Sequence, residues 1–254
     1  MSPAARTPSP PRAADDRAVR CVPRSRMGLA ALCGLVLIVA AAPVAAQDDV
    51  KTEFWPQIDT FVRLNDAMRL YVPVARTREG TGNSDQYGTV GAYLDYFVAP
   101  IASLHLVGPA FAAQMRRLQL RVGYGYTEAG GGQPASNTMT AEATTRMVLP
   151  WEILASDRNR FDLRFSGGDF DPRYRNRIQL ERNVVLGETT LTPYAYGEFF
   201  YDFDDGDWFK IQVTGGLEIH LSERVVAEAY FQRNFVKDST DVNGIGLVLK
   251  LYLR

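Results

Sequence analysis

From Phe209 to His220 apolar and polar side chains alternate, interrupted by the pair Gly215-Gly216 alone, and this period of two constrains the fold more than any other feature. Phe209, Ile211, Val213, Leu217 and Ile219 fall on one side, and Lys210, Gln212, Thr214, Glu218 and His220 on the other. Successive side chains of a β-strand point to opposite faces, so the segment reads as a strand with one apolar and one polar face. The same alternation recurs down the chain, in segments separated by Gly, Asn, Asp and Ser. The segments are 54–64, 68–76, 87–98, 117–127, 139–149, 160–166, 173–183, 190–203, 208–220, 224–235 and 244–253. No long helical pattern competes with them, and no linker divides them, so they form one all-β domain.

Alternation alone does not say which face points inward. A soluble barrel or sandwich with a greasy interior produces the same pattern. Here the polar faces carry long charged side chains of both signs. Arg160, Asp162 and Arg164 oppose Phe161, Leu163 and Phe165, and Arg175, Arg177, Gln179 and Glu181 oppose Ile178 and Leu180. Many segments also approach the 9–11 residues with which a tilted strand crosses a bilayer. Both features favour an antiparallel transmembrane β-barrel with its apolar face outward.

Residues 1–46 read as a leader. Arg24 and Arg26 precede an apolar run from Met27 to Ala42, and Pro43-Val44-Ala45-Ala46 supplies the small residues of a signal-peptidase site. The run is shorter than the roughly 20 residues of a spanning helix, so a cut after Ala46 is expected, with either Met1 or Met27 as the start. A lipid anchor at Cys33 is disfavoured by the bulky Leu32 before it. The mature domain is then 47–254.

The leader contains both cysteines, Cys21 and Cys33, so the mature chain has no disulfide, thiolate metal site or cysteine nucleophile. It also contains six Arg and two Asp. The remainder keeps 22 of the 28 basic and 27 of the 29 acidic residues, a formal charge of −5 that argues against nucleic acid as a partner. Beyond Gln47 no apolar stretch reaches spanning length, so a membrane location requires a closed barrel.

Aromatic residues cluster beside the longer connections. Tyr124 and Tyr126 precede 128–137, Tyr201 and Phe203 precede Asp204-Asp205-Gly206-Asp207, and Trp208 follows it. Other connections, 65–67, 186–188 and 221–223, are short. Long and short connections in alternation fit surface loops and periplasmic turns. Eleven segments are visible. Barrels with both ends in the periplasm have an even number, so about 12 strands (10–12) are expected, with 101–107 or a partial strand at 54–64 closing the seam.

The Arg-alternating strand (Arg173, Arg175, Arg177), the Pro193-Tyr194-x-x-x-Glu198 strand, Trp55 in the opening strand and the closing amphipathic pair resemble an uncharacterised family of outer-membrane barrels classed as a domain of unknown function. The resemblance covers nearly the whole mature length. It implies the outer membrane of a Gram-negative cell and carries over no activity. Its lipid and lipopolysaccharide, and the barrel-assembly machinery, are then the expected partners of a monomer. Outer-membrane barrels often end in an aromatic residue that this machinery reads, whereas the sequence ends Leu251-Tyr252-Leu253-Arg254, and Tyr252 is a weaker substitute for that signal.

Few residues offer chemistry. The histidines are His105 and His220. His220-Leu221-Ser222 has the spacing of a histidine-activated serine in outer-membrane lipid hydrolases, but Ser222 falls in a short turn, where serine is ordinary. Asp204, Asp205 and Asp207 fit no complete cation loop, and Gly130-Gly131-Gly132 has no following helix to cradle phosphate. No cofactor, metal or catalytic residue is expected.

The charged face is the candidate site, with Arg164, Arg175, Arg177, Glu198, Lys210, Glu218, Glu228 and Lys250 forming a network inside the barrel. Mixed signs point first to a self-satisfied structure and second to a narrow, passive, porin-like channel. Symmetric hairpins would place Arg175, Glu198 and Lys210 in one row.

Overall fold

The computed structural model describes residues 51–79, 86–101, 108–130 and 134–253. The leader, its cleavage site, His105 and most of 101–107 and of the Gly130–Gly132 run lie outside the described residues.

All eleven alternating segments are strands. They are β1 (Lys51–Arg63), β2 (Met68–Glu79), β3 (Gln86–Pro100), β4 (Arg116–Thr127), β5 (Ser136–Leu149), β6 (Ile153–Ser166) and β7 (Asp169–Glu181), followed by the short β8 (Val184–Leu186), then β9 (Thr189–Asp202), β10 (Asp207–His220), β11 (Val225–Val236) and β12 (Val242–Leu253). Two single turns of 3-10 helix, Pro109–Phe111 and Pro150–Glu152, interrupt them. No helix among the described residues is long and apolar enough to cross a membrane.

Apart from β8, each strand pairs with the next along the chain, β7 passing directly to β9, and β12 pairs with β1, so eleven strands close into a barrel. β8 stands outside the ring. It pairs only with the start of β9, in the register of the β7–β9 ladder, and is the continuation of β7 beyond a break at Arg182 and Asn183.

The expectation of a wholly antiparallel barrel fails at one seam. β1 and β12 run parallel, in unbroken register from Lys51 opposite Val242 to Val62 opposite Leu253. The reason is parity, because in an up-and-down ring of eleven the first and last strands must run the same way. The start of β1 and the end of β12 therefore sit at opposite rims.

The burial pattern is that of a soluble protein turned inside out. Val122, Met139 and Ile178 are 56%, 55% and 54% exposed, whereas Asp95, Glu198 and Thr214 are 0% exposed. Polar groups fill the interior and bulky apolar side chains stand on the outer wall, so the greasy-interior alternative is excluded. Among the exposed aromatics, Tyr126, Phe165, Phe170, Phe203, Trp208 and Phe235 gather toward the rim where β1 begins.

Glycines make room for the rings that do point inward. A Cβ on Gly246 would lie 2.0 Å from the ring of Tyr230, its partner on β11, and one on Gly244 would lie 2.0 Å from Trp55. The β6–β7 connection is the dipeptide Gly167-Gly168, with φ of 62° and 100°, the positive values that a two-residue hairpin of type I′ requires.

The opposite rim, where β12 ends, is narrowed. Phe61 stacks on Tyr71 and on Tyr252, with centroids 4.8 Å apart in both pairs. Ala110 packs against Phe61, Val226 and Tyr252, and Phe111 stacks on His220 at 4.4 Å. The 3-10 turn Pro109–Phe111 thus packs at this mouth.

Candidate functional site: the charged lumen

Inward positions alternate along each strand, so neighbouring strands deliver charges to one another at similar heights in the barrel. Glu198 on β9 is fully buried. Arg177, directly opposite on β7, donates to its Oε2 at 2.6 and 2.9 Å, and Arg175 and Arg158 donate to Oε1 at 2.7 and 2.8 Å. Three guanidinium groups on one desolvated carboxylate give charge-assisted bonds that fix all four side chains.

From there a belt of alternating sign runs along the wall. Arg175 and Arg160 hold Asp162, the latter at 2.7 Å, and Thr140 donates to the same carboxylate. Arg158 approaches Glu142 at 3.7 Å, Arg121 lies 4.0 Å from Glu142, and Asp95 accepts from both Arg121 and Arg69 at 2.6 Å. Aromatic faces support the cations, with Arg177 over Tyr196 at 3.7 Å and Arg121 over Tyr71 at 4.4 Å.

A separate group occupies the other side of the barrel. Lys250 on β12 reaches Glu218 at 2.6 Å and Glu228 at 2.7 Å. The Tyr194 hydroxyl donates to Glu228, and Asp59 accepts from Gln57 at 2.7 Å and Tyr71 at 3.0 Å. Between the two groups lies a cavity of about 360 Å³.

The expected network is therefore divided. Arg175, Arg177 and Glu198 meet in the arginine belt, and Glu218, Glu228 and Lys250 meet opposite. Arg164 lies toward the rim, 3.8 Å from Asp171. Lys210 lies 3.8 Å from the centre of the Phe200 ring. The row Arg175–Glu198–Lys210 does not form as drawn. Glu198 stands opposite Arg177 and Gln212, because the β7–β9 turn centres on Gly187 and Glu188 and a bulge between Trp208 and Lys210 shifts the next ladder. Arg175 still reaches Glu198 diagonally.

Two members of the belt escaped sequence reading, Arg69 and Arg158. Arg158 has the same parity as Arg160, which was the signal. Asp157-Arg158-Asn159 resembles a turn, yet β6 begins five residues earlier.

His220 and Ser222 are not joined by a hydrogen bond. The His220 ring lies against Phe111 with Nε2 3.2 Å from the Thr192 hydroxyl, while the Ser222 Oγ accepts from the backbone N–H of Arg224 and Val225. Ser222 therefore closes the β10–β11 turn. Asp171, Asp202 and Asp204 approach one another at a hairpin tip, but Arg173 already bonds Asp171 at 2.6 Å.

No curated protein matches the chain. From the second residue of β1 to the third of β12, residues 52–244, the chain matches a family model described as protein of unknown function (DUF2490), and it belongs to that family.

Proposed function

We propose that the chain is an exported outer-membrane β-barrel protein of a Gram-negative envelope, and that its lumen is a narrow, charge-lined passage for small polar solutes. One observation carries this reading: charges and amides are buried inside the barrel while Val122, Met139, Phe161 and Ile178 are exposed on its outer wall. In water such a surface would cost solubility, whereas in a bilayer it is the required solvent-facing surface. Closure of the ring satisfies the backbone groups of both edges, which hydrocarbon cannot do.

On this reading outer-membrane lipid and lipopolysaccharide cover the wall of a monomer, the barrel-assembly machinery inserts it, and the leader 1–46 is removed on export. The narrow mouth at Phe61, Tyr71 and Tyr252 and the crossing arginine side chains leave little free section, as in barrels near this strand number. Two measurements test the proposal. The protein should fractionate with outer membranes, and the refolded barrel should give small or no conductance in planar bilayers. Recovery as a soluble periplasmic protein, or large stable porin-like steps, would contradict it.

A further inference from the structure

The two charged groups face one another across the cavity, and their imbalances are opposite in sign. On β6 and β7, the lining arginines Arg158, Arg160, Arg175 and Arg177 share three carboxylates, Glu142, Asp162 and Glu198. Extending the belt to Arg121 and Arg69 adds two cations and one carboxylate, Asp95. On the other side, Asp59, Glu218 and Glu228 share one ammonium, Lys250. The carboxylates come from β1 (Asp59), β10 (Glu218) and β11 (Glu228), two to five steps around the ring of eleven from β6 and β7, so the carboxyl wall meets the cationic wall across the cavity. Tyr194, Tyr196 and Tyr230 line the space between them.

We propose that this lumen cavity is a binding site for a small zwitterion, a solute of amino-acid size that presents a carboxylate to the Arg158–Arg160–Arg175–Arg177 wall and an ammonium to the Asp59–Glu218–Glu228 wall. The inference rests on the passage reading and supplies its solute class. About 360 Å³ falls in the lower range of small-molecule sites. A free anion satisfies the arginines but is repelled across the cavity, and a free cation has the converse difficulty. Only a solute with both charges is complementary to both walls. The tyrosine faces add a favourable surface for the ammonium end.

Calorimetric titration of the detergent-refolded mature chain tests this with 4-aminobutyrate, 5-aminovalerate and 6-aminohexanoate, compared with butyrate and butylammonium. At least one amino acid should bind about tenfold or more tighter than either singly charged analogue. Arg160→Gln and Glu228→Gln should each remove that preference while leaving the barrel folded, as read by a gel band whose mobility changes on boiling. A folded barrel that binds no probe, or binds the singly charged analogues equally well, overturns the site. If a variant does not fold, the comparison of probes on the unaltered protein decides. Failure of the membrane reading is a different result, a chain recovered without detergent, and the same probe comparison still judges the cavity there.

Discussion

Arg177 and Glu198 face one another across the β7–β9 ladder, and two hydrogen bonds of 2.6 and 2.9 Å join the guanidinium to a carboxylate that is 0% exposed. Arg158 and Arg175 complete the enclosure of that carboxylate. Glu198→Ala would leave three partly buried cations without their shared partner. Removing one member of such a buried group costs about 3–5 kcal/mol. Chemical denaturation of the refolded barrel should show a loss of that order, and a double-mutant cycle should give a larger coupling for Glu198 with Arg177 than with Lys210, which stacks on Phe200. Equal couplings would mean that the β9–β10 bulge is misplaced.

The parallel seam can be tested covalently. Ile58 and Leu249 are register partners on β1 and β12, and both are exposed on the outer wall. Neighbouring strands lie about 4.8 Å apart, within reach of a disulfide. Since both native cysteines precede residue 47, a mature Ile58→Cys/Leu249→Cys double variant has no competing thiol. Oxidation should give a cross-linked chain with altered mobility in a denaturing gel, reversed by reductant. An Ile58→Cys/Ile211→Cys control should not cross-link. Absence of the first product would rule out an eleven-strand closure.

Gly246 is fixed by the ring it accommodates. Its Cα faces Tyr230, and an added methyl would lie 2.0 Å from that ring. Gly246→Ala should therefore destabilise the barrel by about 1–3 kcal/mol, although alanine normally suits a strand better than glycine. Combining it with Tyr230→Ala should remove the steric penalty and give a less-than-additive loss. Additive losses in thermal denaturation would place the ring elsewhere.

Ser222 provides a test of the hydrolase alternative. Its Oγ accepts two backbone N–H groups of the β10–β11 turn, at 3.1 and 3.3 Å. Ser222→Ala should cost about 0.5–1.5 kcal/mol of stability and leave any release of fatty acid from phospholipid vesicles unchanged. A serine-dependent hydrolysis would overturn that assignment.

The strands were legible because period-two alternation is a direct image of the pleat, and Trp208–His220 is as clear in the sequence as in the fold. Inward positions followed from the same parity, which is why Glu198, Lys250 and the β7 arginines fall inside. Register was not legible, since it depends on where a turn is centred and on bulges. A β9–β10 turn centred between Asp204 and Asp205, together with one extra residue near Phe209, moved Lys210 two positions away from Glu198. The parallel seam was hidden for a related reason, because parity of the strand count is a property of the whole ring. Arg158 was lost to a local resemblance, its Asp and Asn neighbours reading as a turn. The cavity between opposed charges belongs to closure itself and has no signature within one strand.

On the proposed membrane reading the apolar wall faces lipid and the charged wall faces the lumen, and adjacent residues on β7 separate these most sharply. Ile178 is 54% exposed on the outer wall, and Gln179 lines the cavity. A fluorophore attached to Ile178→Cys in barrels reconstituted in bilayers should be strongly quenched by lipids brominated in their acyl chains. The same label at Gln179→Cys should be little affected. Equal quenching at both positions, or quenching at Gln179→Cys alone, would contradict the account.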